Sequence, residues 1–168
     1  FIASAKFLNA LGWKFLFDAE YPDQNTTRTI ADGARTQLTI ESNPVEDLQY
    51  PSTFPDCWNR DNVADQYLQP FALNGFGIVR LSIVAFPTSQ NGYFEFEMNV
   101  GATGTENAIY TQTSVFAKGT GVGNQEHFNY VIPVFCGQDF FDNGGRLFIT
   151  PTNTDIDIFQ TTLTVATT

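Results

Sequence analysis

Tyr-Phe-Glu-Phe-Glu-Met-Asn-Val, residues 93–100, alternates apolar and polar side chains without a break. Side chains of a strand point to opposite faces in turn, so this stretch predicts a half-buried strand. Its predicted core side chains are Phe94, Phe96, Met98 and Val100. The Asn91-Gly92 pair that precedes it is a strong hairpin signal, because both residues accept a positive φ. We therefore expect a hairpin back to residues 79–86.

The same two-residue periodicity predicts further strands on both sides, with turn clusters between them. These strands are residues 37–40, 79–86, 109–117, 127–136, 146–150 and 156–165, and the turns are 101–104, 118–123 and 142–145. Pro133 has no backbone N–H, so its strand must lie at a sheet edge or carry a bulge. In the last strand, Ile156, Ile158 and Gln160 are expected on one face. We count about eight or nine strands in all, and this number and spacing predict an all-β, jelly-roll-like antiparallel β-sandwich.

We expect one sandwich domain over residues 13–168, preceded by an arm or short helix over residues 1–12. The partial helical spacing of apolar residues before Gly12 indicates that helix. Residues 41–62 contain several X-Pro pairs and are expected to form a long loop. The side chains expected to pin this loop to the core are Leu48, Tyr50, Phe54 and Trp58.

Charge and composition exclude several classes of partner. The net charge is −10, which repels phosphate backbones and anionic membranes, and no apolar run is long enough for a membrane span. Ten of the 18 acidic residues lie in residues 1–65. They indicate a solvated face; the alternative is a surface for a cation or a basic partner. No signal-peptide layout is present at the N-terminus.

Cys57 and Cys136 are expected to be free, mostly buried thiols, with one long-range disulfide as the alternative. Free thiols fit assembly in a reducing cytoplasm. His127 is the single histidine, which removes most zinc and nucleophile–histidine schemes. We expect His127 to be a structural or surface residue. Glu95 and Glu97, about 7 Å apart by strand rise, could serve a glycan hydrolase, but alternate Glu is also ordinary solvent-face patterning.

Three other motifs are weaker. Residues 119–123, Gly-Thr-Gly-Val-Gly, lack the Gly-Lys-Ser/Thr ending of a phosphate loop and predict a hairpin turn. Asp155 and Asp157 could bind calcium only with a third oxygen donor, so a solvated strand start is expected. Asn25 opens an Asn-Thr-Thr glycosylation sequon, which matters only in a eukaryotic secretory setting. We therefore predict no catalytic residue, no metal site and no cofactor.

The chain resembles small jelly-roll domains of tailed bacteriophages, such as capsid decoration proteins, head fibres and tail-fibre tips. The stretches that carry the resemblance are Phe-Ala-Lys-Gly at 116–119, His-Phe-Asn-Tyr-Val-Ile-Pro-Val-Phe at 127–135, Phe-Phe-Asp-Asn-Gly-Gly-Arg-Leu-Phe-Ile-Thr-Pro at 140–151, Gly-Trp at 12–13 and Thr-Arg-Thr-Ile at 27–30. The resemblance implies a homotrimer around a three-fold axis on the outside of a virion. The surplus of phenylalanine would supply the contacts between subunits.

Three functions follow, in order of preference. The first is a structural one: a trimeric capsid decoration or head-fibre protein that binds the major capsid protein or other virion proteins. The second is a tail-fibre tip that recognises a host surface glycan or protein, with Tyr50, Trp58 and Tyr67 stacking on sugar rings. The third is a glycan hydrolase that uses Glu95 and Glu97. We expect the first, and hence no enzyme.

Overall fold

The computed structural model describes residues 12–41, 48–52, 56–89, 92–117 and 124–167. Twelve strands and one short helix lie in these ranges. They are β1 Gly12–Phe17, β2 Arg28–Ile30, β3 Thr36–Gln37, β4 Leu48–Tyr50, β5 Trp58–Asn59, β6 Tyr67–Leu68, β7 Phe76–Pro87, β8 Tyr93–Val100, β9 Asn107–Val115, β10 Glu126–Phe135, α1 Gln138–Asn143, β11 Gly145–Thr152 and β12 Ile156–Thr167.

The strands form two antiparallel sheets. The first sheet has the order β10-β7-β12-β1-β4, with β2 also paired to β12. The second sheet has the order β5-β6-β11-β8-β9, with β3 also paired to β11. From β9 onward every connection crosses from one sheet to the other, which is the path of a jelly roll. The predicted all-β jelly-roll sandwich is confirmed.

The core lies between the two sheets and is rich in aromatic rings. The apolar side chains predicted for β8 are all buried, as are Tyr130, Ile132 and Val134 from β10. Phe96 of the second sheet stacks on Tyr130 of the first, with ring centroids 4.3 Å apart. The alternation of β8 and β10 therefore predicts their inward faces correctly, because both strands have one face on the core.

The hairpin predicted at Asn91-Gly92 is wrong. β7 lies in the first sheet and β8 in the second, so the chain crosses the sandwich between them. Gly92 serves a steric purpose instead, since a Cβ there would lie 1.9 Å from Cγ2 of Thr154. Asn91 lies outside the described residues. The turn at residues 101–104 is the true hairpin connection, between β8 and β9.

The face assignment in β12 is wrong after Phe159. The pairing of β12 with β7 shifts register between Phe159 and Thr162. Gln160 has φ of 48° and is exposed, whereas Thr161 is buried. A bulge of this kind inserts an extra residue and inverts the alternation that follows it, so a strict two-residue period cannot describe the whole strand.

Residues 41–62 contain β4 and β5 rather than a continuous loop. Trp58 is buried, as predicted, but Leu48 and Tyr50 are 58% and 68% exposed and do not pin the loop to the core. Phe54 lies outside the described residues. Leu38 and Ile40 are buried, but the strand predicted over residues 37–40 ends at Gln37.

The remaining differences are small. Residues 138–143 form α1, and Gly144 at its end has φ of 72°, where a turn over 142–145 was predicted. Pro133 lies in β10, an edge strand of the first sheet, which confirms the prediction for it. Of the predicted arm, only Gly12 is described, and it begins β1; residues 1–11 and the turn at 118–123 lie outside the described part of the chain. Within that part, no helix has the length and hydropathy needed to cross a bilayer.

Candidate interaction surface

The outward face of the first sheet carries a contiguous set of mostly apolar side chains. Strand register places them in two cross-strand rows and one end pair. The first row is Tyr50, Trp13, Ala166, Ile78 and Pro133; the second is Leu48, Phe15, Thr164, Arg80 and Val131; the end pair is Phe76 and Phe135. We call these twelve residues the apolar face.

Most of the large side chains of this face are in contact with solvent. Tyr50 is 68% exposed, Phe135 60%, Val131 51%, Phe76 42% and Trp13 39%. Single exposed apolar residues are common on protein surfaces. A contiguous exposed patch is not, and it marks an interaction site in soluble proteins.

The apolar face is lowest along its middle strand. β12 lies at the centre of the sheet order and presents the small side chains Thr162, Thr164 and Ala166. The strands on either side present larger ones, including Phe15 and Ile78. A shallow groove of about 230 Å³ lies over β7, between β10 and β12, and Arg80 and Asn129 contribute to its lining. The groove therefore lies toward the polar margin of the face.

The apolar face has almost no charge. Among its twelve residues Arg80 alone is charged, while the whole chain carries −10. Along the strands beyond Arg80, the outward positions become polar, with Ser82, Asn129 and Thr162 in the next row. An apolar centre with a polar margin is the usual anatomy of a protein–protein interface.

The outward face of the second sheet is polar by contrast. Arg35 Nε lies 3.0 Å from Glu97 Oε2, and its guanidinium lies 3.5 Å from the centroid of the Phe148 ring. Glu95 and Glu97 share this face, as predicted, and are cross-strand neighbours of Thr150 and Phe148. The Glu97 carboxylate is thus paired with the Arg35 guanidinium. Glu95 lies on the same open sheet surface.

A polar cluster on the outer side of the second sheet was not predicted. Arg146 Nε and Nη2 donate to the two carboxylate oxygens of Asp65 at 2.6 and 3.0 Å, and Nη1 donates to the Gly101 carbonyl at 3.0 Å. The hydrogen bond from Arg146 is the main cause that lowers the pKa of Asp65. This cluster joins β11, the β8–β9 turn and the segment before β6. Its role is to hold these parts together, since both charges are satisfied within it.

The aromatic residues proposed for sugar stacking are largely unavailable. Trp58 is buried, and its indole Nε1 donates to Gln66 Oε1 at 2.7 Å. Tyr67 has the Arg146 guanidinium 5.1 Å above its ring. Of the three, Tyr50 alone is widely exposed, and it belongs to the apolar face. The predicted stacking set of Tyr50, Trp58 and Tyr67 is therefore wrong as a set.

Cys57 and Cys136 are both free and buried, as predicted. Burial raises the pKa of the Cys57 thiol to about 12 and that of Cys136 to about 11. Cys136 Sγ also donates to the Phe71 carbonyl at 3.1 Å. Thiols in this state behave as small core side chains rather than nucleophiles.

His127 lies on β10, whereas Asp155 and Asp157 lie at the start of β12. His127 is exposed on β10, opposite Val84. Asp155 Oδ1 accepts a hydrogen bond from the backbone N–H of Asp32 at 2.8 Å, and the Asp157 carboxylate accepts one from the Thr29 hydroxyl. In the ranges that the structure describes, no three His, Cys, Asp or Glu side chains group as metal ligands would.

Asn25 of the sequon is exposed in a turn next to Asp23. The Asn25 backbone N–H donates to Asp23 Oδ1 at 2.8 Å, and the Thr26 N–H donates to the Asp23 carbonyl at 3.1 Å. This turn is an ordinary Asx arrangement. It lies apart from the twelve residues of the apolar face.

No family model and no curated protein matches this chain. Solved structures do match in shape. Eiger TNF from S. frugiperda aligns with a TM-score of 0.57 at 8% identity, over 95% of this chain and 94% of that one. The PRD1 vertex protein P5 aligns at 0.49 and 11% identity, over 95% and 99% of the two chains. A structure of infectious bursal disease virus, Gt strain, aligns at 0.47 and 7% identity, over 91% of this chain and 31% of that one. At such low identity the likeness to Eiger TNF shows a shared jelly-roll fold, and it shows the fold alone.

Proposed function

We propose that this chain is a structural virion protein, a trimeric capsid decoration or head-fibre protein exposed on a bacteriophage particle. The observation that carries the proposal is the apolar face, which lies on the outside of the sandwich, whereas the core of the described residues lies between the two sheets. When another protein surface covers exposed rings such as Trp13 and Phe135, the free energy of the system falls because apolar area is removed from water. The sequence resemblance to phage jelly-roll domains supports a virion as the place where this happens.

The distribution of charge supports an assembly role. A many-copy surface protein with a net charge of −10 repels its neighbours over most of its surface. The apolar face has one positive side chain, Arg80, so copies can meet there without opposing carboxylates. The remaining acidic surface then keeps assembled particles apart in solution.

An absence of enzymatic activity belongs to the same proposal. Glu95 and Glu97 lie on an open sheet surface, and Arg35 is bound to Glu97. General acid–base work at neutral pH needs a carboxylate whose pKa is raised by an enclosed environment. We propose that both glutamates are solvent-face residues, and that the chain needs no cofactor. Its partners would be further copies and the major capsid protein or other virion proteins, with assembly in the host cytoplasm.

The role can be tested with shells that lack decoration. The purified 168-residue chain is mixed at micromolar concentration with undecorated capsids of candidate phages, and the pelleted protein is quantified. We expect saturable binding at a fixed number of copies per shell. The same chain is applied to host cells and to a glycan array in parallel. Binding to cells or glycans with none to shells would overturn the decoration role in favour of a tail-fibre tip.

A further inference from the structure

β9 is a long edge strand that lacks the usual features that prevent pairing with another chain. It lies at the end of the second sheet and, among the described strands, pairs with β8 alone. Its sequence, Asn-Ala-Ile-Tyr-Thr-Gln-Thr-Ser-Val, has no charged residue and no proline, and most of its side chains are exposed. Proteins commonly protect edge strands with charge, proline or short length. The other sheet ends have these features, since β10 contains Glu126 and Pro133, and β4 and β5 have three and two residues.

A bulge at Ile109 lies at one end of this edge. Met98 pairs with Tyr110 and Asn99 pairs with Ala108, so Ile109 is the extra residue of β9. A bulge of this kind interrupts the ladder and redirects a side chain. Residues 110–115 continue in unbroken register with β8. Their backbone N–H and C=O groups that point away from β8 can therefore pair with an extended segment of another chain.

An apolar pit opens where this edge begins. Its volume is about 300 Å³, and it lies between β9, the end of β10 and the start of α1. Ile109 and Phe135 line the pit and are 46% and 60% exposed, whereas Val100 and Phe140 line it and are buried. Ligand pockets span about 300–1,000 Å³, so this small pit suits one side chain. Sites that take an extended segment combine main-chain pairing with such side-chain pockets.

A carboxylate lies at the rim of the pit. Asp139 contributes to the lining, and its side chain is exposed. In the described ranges no side chain donates to the Asp139 carboxylate, whereas both carboxylate oxygens of Asp142 accept from Gln138 Nε2 at 2.9 Å. The whole chain carries −10. A cation next to the apolar side chain is therefore attracted to this rim, and a second copy of the acidic chain is a less favourable occupant.

We propose that β9 and the pit bind an extended basic segment of another virion protein. The segment pairs with residues 110–115, places one long apolar side chain in the pit and brings a Lys or Arg beside Asp139. This inference rests on the proposed structural role, and it adds the chemistry of the partner segment and the place where that segment binds. Antiparallel pairing is slightly the more stable kind. It brings the C-terminal end of the segment to Ile109, since β9 runs away from the pit toward Val115.

A synthetic probe represents this segment. It is the labelled, C-terminally amidated peptide Thr-Val-Thr-Gln-Thr-Val-Thr-Leu-Lys, whose leucine suits the pit and whose lysine suits Asp139. One matched probe has serine for the leucine, and another has glutamate for the lysine. Fluorescence polarisation measures binding to the purified 168-residue chain. We expect a dissociation constant below about 100 μM for the first probe and an increase of at least about 10-fold for each matched probe.

Two further probes test the backbone pairing. Each keeps the side chains of the first probe and carries N-methyl groups on one of the two alternate sets of backbone nitrogens. Only one set of N–H groups faces β9 in an antiparallel ladder. We therefore expect one methylated probe to lose binding and the other to keep it. Binding that neither methylation weakens would exclude pairing with the edge.

Variants of the chain test the pit itself. Ile109→Gln places a polar amide in the pit without a change of charge. Val131→Gln is its matched control, because Val131 also lies on an edge strand and lies outside the pit. The two side chains are 46% and 51% exposed, so both variants should fold. We expect Ile109→Gln to weaken the first probe about 10-fold and Val131→Gln to leave it unchanged. Asp139→Lys should reverse the preference between the lysine and glutamate probes.

Several outcomes would overturn the inference. They are equal affinity for all probes, no binding of the first probe at about 1 mM, and full binding by Ile109→Gln. Self-association that is lost in Ile109→Gln but kept in Val131→Gln would mean that a second copy fills the pit, which also overturns it.

Undecorated shells separate this site from the virion role. If the unmodified chain and Ile109→Gln bind shells equally well, the inference is wrong and the role stands. If the probes show the expected selectivity and no shell binds the chain, the site is supported and the role is contradicted.

Discussion

Replacement of Arg146 by Leu is expected to lower the free energy of unfolding by about 3 kcal/mol, because it leaves the Asp65 carboxylate without its partner in a largely buried setting. The Arg146 side chain is 6% exposed and that of Asp65 25%. The Gly101 and Asn143 carbonyls lose a donor in the same change. Urea unfolding at one fixed protein concentration measures the loss.

The pH dependence of stability provides an independent check on this pair. Because Arg146 lowers the pKa of Asp65 in the folded chain, ionised Asp65 contributes stability above the ordinary aspartate pKa of about 3.9. This contribution disappears as the pH falls through the lower folded pKa. Arg146→Leu should lack this part of the acid sensitivity.

Arg35→Leu is the matched control for Arg146→Leu. Its guanidinium also bonds a carboxylate, that of Glu97 at 3.0 Å, but the Arg35 side chain is 41% exposed. Solvent screens an exposed pair, so the expected loss is about 1 kcal/mol or less. Equal losses for the two arginines would contradict the role given to burial at Arg146.

Phe96→Ala is expected to destabilise the chain by about 3–5 kcal/mol, the usual cost of removing a buried ring. Phe96 is fully buried, stacks on Tyr130 across the two sheets and lies 6.0 Å from the Tyr110 ring. The substitution leaves a cavity at the contact between the sheets, where neither sheet can move inward without disturbing its own ladder. Urea unfolding is again the measurement.

Tyr130→Phe separates the ring contact from the hydrogen bond in the same place. It keeps the stack on Phe96 and removes the hydroxyl that lies 2.7 Å from Ser114 Oγ. We expect a loss of about 1 kcal/mol. A loss for Tyr130→Phe as large as that for Phe96→Ala would show that the hydrogen bond, rather than ring packing, joins the sheets here.

The fold could be predicted from strands that have one solvent-exposed face and one face buried in the core. β8 and β10 alternate cleanly, and the buried residues of β8 were predicted one by one. The hairpin prediction at Asn91-Gly92 was wrong because turn propensity is local, whereas the path of a jelly roll across the sandwich depends on which strands pair in each sheet. The face predicted for the Gln160 side chain was wrong for a similar reason, since the bulge there depends on the fit between β12 and β7.

The apolar face could be predicted only in part from the sequence. The phenylalanine surplus indicated contacts between copies, but the members of the face come from β1, β4, β7, β10 and β12. No window of the chain contains them together, because register assembles them. Leu48 and Tyr50 were expected in the core for this reason: an apolar side chain in a loop gives no indication of which surface it faces. The ion pair between Arg146 and Asp65 could not be predicted either, because the two residues are distant in sequence.

The most direct measurement is the mass of the unmodified chain by sedimentation velocity, at concentrations from about 1 to about 100 μM, a range in which specific protein complexes commonly form. We expect a species of three times the 18.7 kDa chain that dominates at the upper end of the range. A sedimenting species of 18.7 kDa at every concentration would contradict the assignment of the apolar face as an assembly surface.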